Sequence, residues 1–132
     1  MSKYGKAALK AVDLYHRGLV QNPQQAWTKA ATNVFGEERE SSINKGCPKC
    51  TFLALAEEGL IRGVPPGKYT RSQKNKMYAI RAAKTLCENL GASIDINTLW
   101  ENVTAGSGVK HNSQLDVVLA LWNKDLLECK HC

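Results

Sequence analysis

The sequence predicts an all-α fold, built as a single domain over residues 1–132 with about six helices. Apolar residues recur three and four positions apart along most of the chain. Ser, Asn, Pro and Gly stand where such segments begin and end. No segment alternates apolar and polar residues over more than a few positions, as a half-buried strand does. A chain of 132 residues is also too short for two ordinary domains.

The first half of the chain predicts three helices, each opening on a capping residue and ending at a glycine. They cover residues 2–18, 22–36 and 47–59. In the second of them Pro23 occupies the first helical position, where its missing N–H costs nothing. The polar stretch 37–46 predicts a loop.

The second half predicts three further helices, over 70–91, 95–103 and 113–127. The first and third open on a Ser or Thr with a Gln or Asp three positions later, the spacing of a capping box. Residues 104–112 are rich in Gly and Ser and predict a loop.

Between the two halves, residues 60–64 and 68–70 are the segments best suited to a small β-hairpin. Pro65 and Pro66 lie between them, and adjacent prolines exclude a helix there.

The predicted helices follow the same order twice, which suggests an internal repeat of residues 4–61 and 78–127. Each half contains a long helix, a helix with a Trp and a Leu-rich helix. The alignment pairs Tyr4 with Tyr78, Trp27 with Trp100, Phe52-Leu53-Ala54-Leu55 with Val118-Leu119-Ala120-Leu121, and Leu60 with Leu126. The alternative is coincidence, since Leu and Ala are common in helices.

Positive charge is concentrated in one segment. The net charge is +6, yet residues 59–86 hold seven Lys and Arg and no Asp or Glu. The local excess favours an anionic partner, with nucleic acid first and an acidic protein surface second. The alternative is a solvated face without a partner. The candidate nucleic-acid-binding residues are Lys68, Arg71, Lys74, Tyr78, Arg81 and Lys84. A helical wheel puts Tyr78 among these cations, where its ring would stack on a base.

Two Cys-x-x-Cys pairs predict a zinc site with Cys47, Cys50, Cys129 and Cys132 as ligands. Four thiolates are a usual tetrahedral zinc set, and His131 is a substitute ligand. The alternative is four free thiols. A fifth cysteine lies on the apolar side of the fourth predicted helix and predicts a core residue.

Cys47 also supports a second hypothesis, a thiol-dependent enzyme. A thiol at a helix N-terminus between Lys45 and Lys49 is favoured as the reactive thiolate. Under the repeat, His111 and Asn112 belong to the matching loop and would supply a base and an amide. The alternative is that both are ordinary loop residues.

A resemblance to a known family rests on residues 45–70, which read Lys45-Gly46-Cys47-Pro48-Lys49, Phe52-Leu53, Glu58-Gly59-Leu60-Ile61, Gly63-Val64-Pro65 and Gly67-Lys68-Tyr69-Thr70. This pattern resembles the signature of a small bacterial domain family. The resemblance implies a shared fold and brings no activity with it. Residues 53–70 also resemble, in their order of residue types, the recognition helix and wing of winged-helix repressors. Here Pro65-Pro66 stands where a wing strand needs backbone N–H donors.

The remaining signals exclude several function classes. No apolar run approaches the roughly 20 residues of a membrane span. The N-terminus also lacks the apolar core of a signal peptide. Together these two observations predict a cytoplasmic protein. Phosphate-loop and zinc-protease motifs are absent from the sequence. The sequence therefore predicts a small cytoplasmic binding module with a basic surface. The alternatives are the thiol-dependent enzyme and a protein-binding inhibitor or adaptor, so whether the chain is an enzyme stays open.

Overall fold

The structure is a computed structural model that describes residues 2–89, 95–111 and 113–129. These ranges contain six helices of at least nine residues and one of a single turn. They are α1 (Lys3–His16), α2 (Pro23–Phe35), α3 (Glu40–Ile43), α4 (Gly46–Glu57), α5 (Gln73–Glu88), α6 (Ile96–Thr104) and α7 (Gln114–Asn123). The all-α fold with about six helices is confirmed, and the described residues pack as one domain.

Local signals explain most of the helix boundaries. The side chains of Ser2, Asn22 and Asp95 accept hydrogen bonds from first-turn N–H groups of α1, α2 and α6. The caps of the other two predicted capping boxes differ from expectation. Ser72, not Thr70, caps α5, and Ser113 lies in the left-handed region with φ +70° and makes no side-chain cap.

Three expected boundaries are wrong. The predicted loop 37–46 contains the one-turn helix α3, which buries Ile43. Helix α5 ends at Glu88, whereas the expected end at residue 91 lies outside the described residues. Helix α7 ends at Asn123 because Asp125 turns the chain with φ +57° and the N–H of Leu126 donates back to the carbonyl of Leu121 at 2.9 Å.

One hydrophobic core holds the helices together. Helix α1 packs against α2 and α7, and α4 packs against α5 and α7. The largest fully buried side chains include Trp27, Phe52, Leu55, Leu60, Leu99, Leu115 and Leu121. Each of the long helices contributes buried residues to this core. The apolar side of α5 packs in the core and thereby fixes the position of the basic segment.

The expected hairpin between residues 60–64 and 68–70 is wrong. Ile61 instead forms an antiparallel bridge with Leu127. The N–H of Arg62 donates to the carbonyl of Leu126 at 2.8 Å, and the N–H of Glu128 donates to the carbonyl of Leu60 at 2.7 Å. Outside this bridge the described residues contain no β-structure.

The bridge joins equivalent positions of the predicted repeat. Leu60 aligns with Leu126, and the two hydrogen bonds exchange places when the halves are interchanged. The α4 and α7 ends also match, since Leu60 donates to Leu55 and Leu126 donates to Leu121, both at 2.9 Å. Such matching geometry is what a duplication would produce, and the repeat of 4–61 and 78–127 stays a prediction.

Candidate nucleic-acid interface

The basic segment lies at the start of α5 and along its outer side. Lys68 and Arg71 precede the helix, and Ser72 caps it by accepting from the N–H of Asn75 at 3.3 Å. Lys74, Arg81 and Lys84 follow on the helix. All five of these cations are exposed, and we call Lys68, Arg71, Lys74, Arg81 and Lys84 the basic surface.

A sixth cation of the segment, Lys76, is already neutralised. Its Nζ lies 2.6 Å from a carboxylate oxygen of Glu57 and 2.8 Å from one of Glu58. Glu57 is nearly buried and also accepts from the N–H groups of Tyr69 at 2.8 Å and Thr70 at 3.2 Å. The hydrogen bond from Lys76 is the main reason that the pKa of Glu57 lies below its ordinary value, and the same bond raises the pKa of Lys76. Lys76 therefore ties α5 to the end of α4.

The cations of the basic surface have no acidic partner among the described residues. The ion pairs of the described residues involve three other cations, Arg17, Arg62 and Lys76. The basic surface makes one polar contact that has a structural use, from Nη1 of Arg81 to the carbonyl of Val103 at 3.0 Å. That bond satisfies a carbonyl in the last turn of α6, and the guanidinium of Arg81 donates no other hydrogen bond to a described residue.

The expectation that Tyr78 lies exposed among the cations is wrong. Its side chain is only 5% exposed, and its ring packs edge-on against Trp100 with 5.3 Å between centroids. The helical wheel placed Tyr78 among the cations, but Trp100 of the neighbouring helix α6 covers its ring. No ring of α5 is therefore available to stack on a base.

The apolar group that does lie among the cations is Met77, which the sequence reasoning missed. Met77 is 40% exposed, and with Ile80 it supplies the apolar lining of a groove of about 440 Å³, which we call the floor. Gln73, Lys76, Arg81 and Lys84 complete the lining, and we call them the rim. The signal was present in the sequence, because Lys74, Met77, Arg81 and Lys84 recur at helical spacing.

The candidate thiol site is not assembled as the enzyme hypothesis requires. Nε2 of His111 accepts from the N–H of Leu115 at 3.0 Å, so a neutral ring holds its proton on Nδ1 and has no free lone pair for Cys47. Partial burial is the largest cause that lowers the pKa of His111, Asp116 raises that pKa, and Lys45 lowers it. Asn112 lies outside the described residues. Cys47 lies half-buried in the first turn of α4.

Cys129, one of the four predicted zinc ligands, forms a disulfide with Cys87. Cys87 was expected in the core and is instead half-buried at the end of α5. Cys47 and Cys50 are free, and Cys132 lies outside the described residues. In the part of the chain that the structure describes, no three His, Cys, Asp or Glu side chains are grouped so that they could hold a metal ion. The zinc site stays a prediction.

Nearly the whole chain matches one known family. The family model covers residues 1–128, which include residues 45–70. The chain belongs to DUF6979, a family of unknown function. No solved structure matches the DUF6979 chain. The described residues contain no wing like that of winged-helix repressors, because Ile61 pairs with Leu127 and residues 62–72 form no strand.

The helices of the described residues are too short or too polar for a bilayer. None of them combines the length and the apolar character that a membrane span requires.

Proposed function

We propose that this chain binds nucleic acid through the basic surface, and that contacts to phosphates supply most of the affinity. The observation that carries this proposal is the set of five exposed cations that make no ion pair with any described residue. Glu57 and Glu58, which precede the segment, are occupied by Lys76, and Glu88, which ends α5 one turn after Lys84, forms no ion pair with a described residue. The positive potential of the surface is therefore not cancelled locally.

The dimensions of α5 suit a phosphate backbone. At a rise of 1.5 Å per residue, Lys74 and Lys84 are separated by about 15 Å along the helix. A nucleic-acid strand carries a phosphate about every 3.4 Å of duplex axis, so this length spans several phosphates. Lys and Arg contacts to phosphates fix position and carry no base information. We infer binding that depends strongly on salt and weakly on sequence.

The test compares two triple variants that remove the same amount of charge. R71A/K74A/K84A removes three cations of the basic surface and keeps Arg81, which holds the end of α6. K6A/K29A/K124A removes three exposed cations from α1, α2 and the end of α7. We expect the first variant to bind oligonucleotides about tenfold more weakly at low salt, with a salt slope reduced by about 0.9 for each phosphate that the variant no longer neutralises. The second variant should bind almost as the parent does.

Both variants should unfold as the parent does, because exposed charges contribute little to stability. Equal weakening by both triple variants would assign the binding to net charge alone. Absence of any salt-dependent affinity for DNA or RNA in the parent would overturn the nucleic-acid proposal. Binding to an acidic polypeptide would then favour the adaptor hypothesis.

The enzyme alternative gains no support from the geometry, because His111 is engaged by the N–H of Leu115. Its test is alkylation at neutral pH. One fast-reacting thiol at Cys47 would restore the hypothesis.

A cytoplasmic location remains part of the proposal. The Cys87–Cys129 disulfide argues against that location, since disulfides persist chiefly in oxidising compartments and are rare in the cytosol.

A further inference from the structure

We propose that the preferred ligand of the basic surface is single-stranded nucleic acid, with one base packed on Met77 and Ile80. This inference rests on the proposed function and narrows its ligand class. The phosphates of the single strand would lie on Lys74, Arg81 and Lys84, beside the apolar floor.

The groove has a feature that a surface binding only phosphates would not need, which is an exposed apolar side chain among the cations. Met77 is 40% exposed, and Leu19 is the only other large apolar side chain among the described residues that is exposed. Met77 lies between Lys74 and Arg81 on one side of α5, at steps of three and four residues. An apolar side chain that costs free energy in water thus lies beside Lys74, Arg81 and Lys84, which have no acidic partner among the described residues.

Single strands and duplexes differ in what they present to such a groove. A duplex keeps its base faces inside the stack and offers mainly sugar and phosphate at its outer surface. A single strand exposes aromatic base faces next to its phosphates, and sequence-tolerant binders use both. A methionine thioether makes favourable contacts with aromatic faces, so Met77 can take the place of the ring that Tyr78 does not supply.

An acidic protein partner fits the groove less well. An amphipathic helix inserts anchors at i, i+3, i+4 and i+7, and therefore needs an apolar groove several turns long. Here the apolar floor is two residues, Met77 and Ile80, and the volume is about 440 Å³. One base with its flanking phosphates matches this short floor and charged rim.

The experiment measures binding of fluorescent oligothymidylate and of a blunt duplex of equal length by anisotropy. The variant is M77Q, which keeps the length of the side chain and removes its apolar character. L19Q is the matched control, because Leu19 is 57% exposed and lies between α1 and α2. Circular dichroism and thermal unfolding check that both variants fold.

We expect the parent to prefer the single strand, and M77Q to weaken single-strand binding about fivefold, the low end of what one packed base contributes. Duplex binding by M77Q and single-strand binding by L19Q should stay unchanged. Equal binding of strand and duplex, both insensitive to M77Q, would overturn this inference and leave the proposed function intact. M77Q-sensitive binding of poly-glutamate without oligonucleotide binding would overturn both.

Discussion

The imidazole of His111 accepts a hydrogen bond from the backbone N–H of Leu115, with 3.0 Å between the two nitrogens. A histidine thus caps α7 in place of Ser113, which lies in the left-handed region and makes no side-chain cap. The ring also packs edge-on against Trp100, with 5.0 Å between centroids. Capping requires the neutral ring, because an imidazolium has no acceptor and would place positive charge at a helix N-terminus.

Folding stability should therefore decrease in mild acid through His111. Its pKa is lowered in the folded state, so the unfolded chain binds the proton first as the pH falls below about 6.5. Above that value the ring is neutral in both states and makes no pH-dependent contribution. Urea unfolding at a series of pH values measures the effect.

H111Q should keep the cap through its amide oxygen and lose this part of the pH dependence. H111A should lower the free energy of unfolding by about 1 kcal/mol at neutral pH, the usual value of a cap. H16Q is the control, because His16 contacts the carbonyl of Arg62 and no helix N-terminus. A pH profile of H111Q identical to that of the parent would contradict the assignment.

The Glu57–Lys76 pair should be the most important ion pair for stability among those described. E57A leaves two N–H groups and a half-buried ammonium with fewer partners, so we expect a loss of about 2–3 kcal/mol in urea unfolding. E57Q keeps an acceptor for Tyr69 and Thr70 and should lose less.

The exposed partner Glu58 provides the control for that measurement, and E58A should cost at most about 1 kcal/mol. Because the pKa of Glu57 is lowered, its contribution is present above the unfolded value and is lost as the pH falls through the folded value. Equal losses in E57A and E58A would show that the buried geometry contributes nothing.

The Cys87–Cys129 disulfide closes a loop with a sequence separation of 42 residues. Closing a loop of that length should stabilise the protein by about 3–4 kcal/mol through the unfolded state. C87S and C129S should both lose this amount without reductant, and dithiothreitol should bring the parent to the same stability. C50S should change nothing in either condition. Peptide mapping that finds no link between Cys87 and Cys129 would refute the disulfide.

Zinc binding, if it occurs, should compete with the disulfide. A disulfide sulfur has no thiolate to donate, so Cys129 can serve either Cys87 or a metal ion. Native mass spectrometry of reduced protein, purified without chelator, should show one zinc that is absent from the oxidised form and from C129S/C132S. No zinc in the reduced parent, or full retention in C129S/C132S, would exclude the four-cysteine site.

The sequence by itself determined the features that depend on neighbours a few residues apart. The helices were predicted from the helical spacing of apolar residues, from the caps Ser2 and Asn22 and from the glycine stops, because each of these signals acts within one or two turns. The concentration of cations in residues 59–86 was equally visible, since a local excess of charge needs no fold to be counted.

Only the tertiary structure decided which groups meet across the fold. Tyr78 is buried because Trp100 of α6 covers it, and Met77 is exposed because no helix of the described residues covers it. Ile61 pairs with Leu127, Cys129 with Cys87, and Lys76 with Glu57. These partners are distant in sequence, and the packing of one shared core, rather than any local pattern, brings them together.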